Sequence, residues 1–469
     1  MFRAEKSSRA PYWEIALVKK NQTIKNNSPR QLAVKCLTEW ERQTPETRQP
    51  LNNIASNFLT THKLTSVDTR LFWELITGTV RHLLLLDYHI ESNLTRKKAK
   101  LPLKVKNWLR IGAYQILFLD RIPPFAAVNE TVKGLKKSKA KWAAGLANAV
   151  LRKIAKSSKN AKQIENSALS EIERISIETS HPKWMVEKWI GRYGLKKTIT
   201  LCNANNSRPP LTLRVNTLKI TREKFMSLLK EAGIEARQGL LSPDAIIIDA
   251  DHFDIKKIPG FSKGLFQVQD ESSQLVAHLL NPKPDEKILD MCAGLGGKTT
   301  HLAALMQNQG EIVASDTNKN RLTLLKENCI RLGIKNVQIV NPDLIKQHAP
   351  YDKVVVDAPC IGLGVIRRHP DIKWNRFPKS ILRMAELQAS LLEQALGLLK
   401  PGGILAYSVC SIEPEEGKKV VEKVSNHLDN FAILDVQKLL PQIEKGPYLE
   451  LLPQEKGPDG FFTAILKKN

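Results

Sequence analysis

Apolar positions recur at helical spacing through the first third of the chain. After Ser28-Pro29, Leu32, Val34, Leu37 and Trp40 fall on one face, with Pro at the first helical position. A second run covers roughly 51–61. A third opens near Asp68, read as its N-cap, and carries Leu71, Phe72, Leu75, Ile76 and Val80 on one side. Pro102 opens the next, through Trp108, Ile111, Tyr114, Ile116 and Leu117, and IPP at 122–124 breaks it. Two more follow at 128–135 and 142–154. No alternating pattern interrupts them, so residues 29–160 are predicted as an all-α bundle behind a basic N-terminal extension, 1–28.

The period changes after SSKNAKQ (157–163), a polar linker. Helical spacing returns at 181–202, with Trp184 and Trp189. SRPP (207–210) marks a boundary. TLRVNTLK (212–219), a helix at 221–233 and AIIID (245–249) then predict a small α+β module, so 161–265 is read as linker helices plus that module. DESSQLVAHLL (270–280) reads as a helix, with Ser272 and Ser273 placed to cap it. From there short apolar strands alternate with helices: KILD, EIVASD, VQIVNPD, KVVVDAPC, ILAYSVC. A long helix at 383–399 ends at Pro401-Gly402-Gly403, and GFFTAILK (460–467) is a final strand. Residues 266–469 are predicted as a Rossmann-like α/β domain with an antiparallel last strand.

Composition adds a direction to this layout. The net charge is +25, and residues 1–160 hold 30 Lys+Arg against 11 Asp+Glu. A basic helical third beside a near-neutral α/β half predicts a nucleic-acid-binding module feeding an enzyme. No apolar run approaches the ~18 residues that span a membrane. EIALV (14–18) is too short and too charged for a signal-peptide core, so the cytoplasm is expected. Six cysteines lack C-x-x-C pairs, which argues against zinc and against a disulfide framework. Cys36, Cys202 and Cys329 lie in helix-like apolar patterns and read as packing residues.

The chemistry gathers at the strand ends. KILDMCAGLGGK (287–298) is strand, Gly-rich turn and helix start, and Gly294, Gly296 and Gly297 let the backbone approach a ligand whose anion faces helix N–H groups. Asp316 follows the glycines by about twenty residues, where a ribose diol is held in such folds. Asp290, Asp343 and Asp357 end three further strands, Cys360 follows Asp357, and Cys410 ends the strand ILAYSVC. Both cysteines qualify as nucleophiles by position, and the spacing does not rank them.

These stretches together resemble the bacterial RNA (cytosine-5) methyltransferases, of the 16S ribosomal RNA methyltransferase B type. The likeness covers nearly all of 29–469. RIPPFAAVNETVKGLKK (121–137) and GLANAVLRKI (145–154) resemble the family's NusB-like RNA-binding domain, and FQVQDESSQLVA (266–277) resembles the motif that opens its catalytic part. CAGLGGKTTHLA (292–303) is similar to its cofactor loop, DAPCIGLGVIRRHPDIKW (357–374) to its base loop, YSVCSIEPEE (407–416) to its nucleophile loop and GPDGFF (457–462) to its closing motif. The chain departs from the family pattern at Gly294-Leu295, where Ala-Pro is usual, at Ile361-Gly362-Leu363-Gly364, where Ser-Gly-Thr-Gly is usual, and at Gly417, where Asn is usual.

The resemblance implies S-adenosyl-L-methionine as cofactor and C5 of a cytidine in 16S ribosomal RNA, free or in an early assembly intermediate, as target. It makes Cys410 the nucleophile, Cys360 the residue that assists product release and Asp357 the partner of the base. It gives Cys292, Ala293, Gly294, Leu295, Gly296, Gly297 and Lys298 to the methionine part, Asp316 to the ribose and Asp343 to the adenine side. Arg367, Arg368 and His369 are expected to contact the RNA backbone. No metal and no membrane are expected, and a monomer is. The same chemistry on transfer RNA, or a non-catalytic assembly factor on this fold, are the alternatives.

Overall fold

The computed structural model describes residues 28–469 apart from 96–99, 158–163, 165–167, 249–253, 429, 441–445 and 455–456. The basic arm up to residue 27, the RKKAK loop short of Lys100 and the polar linker beyond Ser157 therefore lie outside the described residues. The helical bundle is all-α as the periodicity predicts, with one further helix, Leu83–Ser92, that the periodicity does not mark. It comprises Pro29–Arg42, Leu51–Thr61, Ser66–Arg81, Leu83–Ser92, Leu103–Phe118, Pro124–Lys136 and Ala144–Lys156. Their apolar faces close on one core that buries Leu32, Trp40, Phe72, Leu75, Leu109 and Leu151. Ser28 caps the first helix by accepting from Gln31 N–H. Asp68 is not the cap expected of it. Thr65 caps, and Asp68 sits three residues in, where its N–H donates to the Thr65 hydroxyl and its carboxylate accepts from it.

Helices Glu171–Glu178, Lys183–Tyr193 and Leu195–Asn206 lead into the small module. Its strands are β1 (Leu211–Val215), β2 (Arg237–Gln238), β3 (Ala245–Ile248) and β4 (Phe266–Val268), in the order β2-β3-β1-β4, all antiparallel. The domain boundary expected after residue 265 thus falls inside a sheet. Phe266 is buried and stacks on Phe225 with ring centroids 5.4 Å apart, so its apolar surface belongs to the small core. Helix Glu271–Leu280 is capped by Asp270, which accepts from Ser272 N–H at 3.0 Å, rather than by either serine.

The last domain holds β5 (Lys287–Asp290), β6 (Glu311–Ser315), β7 (Val337–Val340), β8 (Tyr351–Asp357), β9 (Leu399–Val409), β10 (Phe431–Leu434), β11 (Tyr448–Leu451) and β12 (Phe461–Lys468). The sheet order is β10-β12-β9-β8-β5-β6-β7, with β11 also on β12. Strands β5 to β9 are parallel and β12 runs antiparallel to β9, as the sequence predicts. The chain leaves β5 toward β6 and later returns to β8 on its other side. A crevice opens at the carboxyl ends where the winding reverses. Among the described residues no helix is long and apolar enough to cross a membrane.

One segment of this domain holds the bundle. Trp374 Nε1 donates to Val80 O at 2.9 Å, and the buried Lys373 ammonium donates to Arg81 O at 2.7 Å and to Asn206 Oδ1 at 3.1 Å. Asp371 accepts from Leu51 N–H at 3.1 Å, and Arg81 donates to Arg367 O at 3.0 Å. The bundle is therefore docked directly behind the loop that carries Cys360.

The small module is fastened to the same domain from the other side. Asp244 Oδ2 lies 2.9 Å from Nε2 of both His278 and His301. These three are the one group among the described residues whose side chains converge as metal ligands would. Both imidazoles are placed to donate to the one oxygen. Burial first, and then Arg214, push His301 down to about 3. Its unfolded value is near 6.5, so the neutral form is the one the fold stabilises. That stability is present above pH 6.5 and is lost as pH falls from there toward 3. Between pH 7.5 and 5 the wild type is expected to lose about 2 kcal/mol through this residue. Urea unfolding at the two pH values checks it: the His301→Gln chain should show a loss smaller by that amount.

Candidate active site

The crevice encloses a cavity of about 670 Å³, with β5, β6, β8 and β9 each ending on it. Of the residues expected at the cofactor, Cys292, Ala293, Gly294, Leu295, Gly297, Lys298, Asp316 and Asp357 line it, and Gly296 caps the helix behind it. Gly294 has φ +55°, and a Cβ there would meet open space, which leaves the turn bare toward the cavity. Its N–H donates to Asp316 at 3.0 Å, while the other oxygen of that carboxylate accepts from Asn318 N–H at 2.7 Å. Asp316 is thereby fixed at the cavity wall. Asp343 is not: it is exposed in the turn after β7, and its neighbours Pro342 and Ile345 line the cavity instead.

Two residues that sequence reasoning left out of the site belong to it. Asp290, at the end of β5, is buried and lines the cavity. Thr299 donates to one of its oxygens at 2.7 Å, and the other has no partner. Burial raises this carboxyl to about 6. Arg214, from β1 of the small module, reaches across to donate to Gly297 O, Gln269 Oε1 and, at 2.9 Å, Thr300 Oγ1. Fully buried, it holds the start of the cofactor helix from behind, and burial lowers it to about 9. Its signal was present in the sequence as one charged residue in the apolar strand TLRVN.

The two cysteines meet at the far end. Cys360 and Cys410 place their sulfurs 3.1 Å apart, and both line the cavity. The bond to Cys410, then burial, push the Cys360 thiol well above its ordinary value, and either sulfur can be the donor in the contact between them. The carboxylate of Asp357 accepts from Ser408 Oγ at 2.9 Å and pairs with the Lys298 ammonium at 2.7 Å. Lys298 also donates to Ser273 Oγ at 3.0 Å, so it neutralises Asp357 here.

A buried carboxylate joins the two cysteine loops. Glu416 accepts from Ile361 N–H at 2.9 Å, from Gln388 Nε2 at 3.0 Å and from Ser411 Oγ. Gly364 completes the junction: its N–H donates to Cys410 O at 3.1 Å and its carbonyl accepts from Gly460 N–H at 2.9 Å. A Cβ on Gly364 would stand 2.0 Å from the Gly460 carbonyl oxygen, so no side chain fits there. Gly417 is tight as well, with the Phe462 ring 2.8 Å from where a Cβ would be.

Arg367 and Arg368 do not form the RNA contact expected of them. Arg367 is fully buried, with its guanidinium bonded to Asp459, to Gln454 O at 2.7 Å and to Gly457 O at 2.8 Å. Arg368 is shared between Asp459 and, at 2.8 Å, Asp270. A run of charge after a catalytic loop looks alike in sequence whether it points outward or inward. His369 alone of the three is exposed, beside Asn52 of the bundle at 3.3 Å.

Family comparisons agree with this division of the chain. Residues 27–156 match the NusB family, 181–255 the ferredoxin-like domain of RsmF/B-like methyltransferases, and 277–467 the 16S rRNA methyltransferase RsmB/F model. The probable ribosomal RNA small subunit methyltransferase B of Bacillus subtilis is 34% identical over 95% of this chain and 100% of its own. The chain belongs to the RsmB/F family of 16S rRNA methyltransferases. The ribosomal RNA small subunit methyltransferase B of Pseudomonas syringae is 37% identical over 80% of this chain and 85% of its own. A methyltransferase homolog protein from Pyrococcus horikoshii is 31% identical, with a TM-score of 0.56 over 64% of this chain and all of its own. The RsmB/F cofactor is S-adenosylmethionine. The cavity suits it: a bare glycine turn, a fixed carboxylate at Asp316 and an unpartnered buried carboxylate oxygen at Asp290.

Proposed function

We propose that this chain methylates C5 of a cytidine in small-subunit ribosomal RNA through a covalent bond between Cys410 and C6 of the base. The observation that carries the reading is the pair of sulfurs 3.1 Å apart in the cofactor cavity. C5 of cytosine is a poor nucleophile until a thiolate adds to C6. Cys410 forms that S–C bond, and the electron pair moves into the ring, where Asp357 meets N3 with a hydrogen bond. Lys298, 2.7 Å from Asp357, is the neighbouring proton source. S-adenosylmethionine, when bound, supplies an electrophilic methyl group and leaves as a neutral thioether.

Release then needs the C5 proton removed and the C6–S bond broken. Cys360, its sulfur 3.1 Å from that of Cys410, is the neighbouring group for this step. Its own proton first passes to solvent; the thiolate then takes the C5 proton, the C5–C6 double bond re-forms, and Cys410 departs as a thiolate. Reaching this cavity requires a base to leave its stack, at a few kcal/mol. Loops and incompletely assembled RNA lower that cost, and a single copy of the chain contains every group used.

The test is transfer from methyl-labelled S-adenosylmethionine to unmodified, protein-free 16S RNA, with transfer RNA alongside and the product nucleoside identified. Label in 5-methylcytidine of the 16S RNA is the expected result. Label in transfer RNA alone would move the substrate and keep the chemistry. Cofactor binding with no transfer to either would leave a non-catalytic assembly factor.

A further inference from the structure

Cys360 also lines a second cavity, of about 410 Å³. Its other walls are Arg376, Phe377, Lys379 and Arg383, and Glu46 of the bundle stands at its rim. We propose that this cleft seats the phosphodiester backbone flanking the target nucleotide, with Lys379 and Arg383 facing the phosphates. The inference rests on the RNA-methylating reading above and adds the place where the strand is held.

Several observations support it. The reaction cavity is lined by Asp290, Asp316 and Asp357 against Lys298 and Arg321, so it offers the phosphates of an entering strand no net positive field, and they need a cationic exit. The adjoining cleft offers three cations against one acid and shares Cys360 with the reaction cavity. Lys379 and Arg383 are exposed, one turn apart on helix Pro378–Gly397, and neither has an ion-pair partner among the described residues. That helix starts without a side-chain cap or an acid in its first turn, so its N–H groups add to the positive field. Arg376 is held against the cysteine loop by its bond to Ile361 O at 3.0 Å, and the half-buried Phe377 ring is available to stack on a neighbouring base. The two arginines first expected in this role, Arg367 and Arg368, are committed to Asp459 and Asp270.

The experiment uses the full chain and protein-free 16S RNA. Lys379→Gln/Arg383→Gln is compared with wild type and with Lys418→Gln/Lys423→Gln, which removes two exposed charges from helix Lys418–Ser425. RNA affinity is measured across a salt series, and KM for RNA and kcat at one salt. The expected result is an RNA KM raised about tenfold, with kcat and S-adenosylmethionine affinity near wild type. The slope of log K against log salt should be shallower by about 1.4, from two lost single-strand phosphate contacts. The control should keep the wild-type slope. A slope and KM equal to those of wild type, in an enzyme that methylates RNA, overturn the inference and leave the functional reading standing. A fall in kcat alone also overturns it, because the residues would then serve the cysteine loop. A wild type that methylates no RNA removes the functional reading and this inference with it.

Discussion

Alanine at Cys410 is expected to abolish methyl transfer, by about 10⁴-fold or more, and to leave no covalent protein–RNA complex. Alanine at Cys360 is expected to do something different: a complex that survives denaturing electrophoresis accumulates while turnover stops. The asymmetry follows from the roles proposed above: the sulfurs lie 3.1 Å apart, and Cys410 forms the bond to carbon while Cys360 serves release. Removing Cys410 removes the bond-forming atom, for which no neighbour substitutes at the same angle. Removing Cys360 leaves that atom in place and takes away the group assigned to release. Labelled RNA, run on a denaturing gel with each variant, reads both effects at once. An adduct with Cys410→Ala and none with Cys360→Ala would reverse the two roles.

Alanine at Arg367 is expected to destabilise the protein by about 3–5 kcal/mol, the cost of breaking a buried ion pair from one side. The guanidinium is fully buried, and its loss leaves Asp459, Gln454 O and Gly457 O without it. Burial already raises the Asp459 carboxyl. For a domain of this size the shift in melting temperature is roughly 10 °C. The salt dependence of RNA affinity for the folded fraction should not change. A variant that melts like wild type but binds RNA with a slope lower by about one would restore Arg367 to the RNA contact first expected of it.

The legible parts of this chain were those where local physics and tertiary fold ask for the same residue. Leu32, Leu37 and Trp40 are spaced for a helix and are buried in one. Asp316 and Cys410 follow strands whose apolar runs are unambiguous. The parts that escaped depend on a partner far along the chain. Arg214 looks like a surface charge until Gly297 is placed beside it, 83 positions later. Arg367 looks like a phosphate ligand until Asp459 is placed, 92 positions later. Phe266 looks like the start of the catalytic domain, yet strand pairing with Val215 gives it to the module before. Asp343 matched the pattern of acids at strand ends, but it falls in a 3₁₀ turn after a short strand, where it is exposed and Pro342 and Ile345 line the cavity in its place.

The docking of the bundle through residues 371–374 bears on how such a chain can change over time. Trp374 and Lys373 address Val80 O and Arg81 O, backbone carbonyls that every residue type supplies, and Asp371 addresses Leu51 N–H, which every type but proline supplies. The junction therefore reads the backbone of the bundle together with a few of its side chains, Arg81 on Arg367 O and Arg48 on Asn375 among them. Substitutions on the bundle's outer faces, away from these contacts, leave the seat of the cysteine loop unchanged. A shift of the helix ends that carry Val80 and Leu51 would be transmitted to that loop.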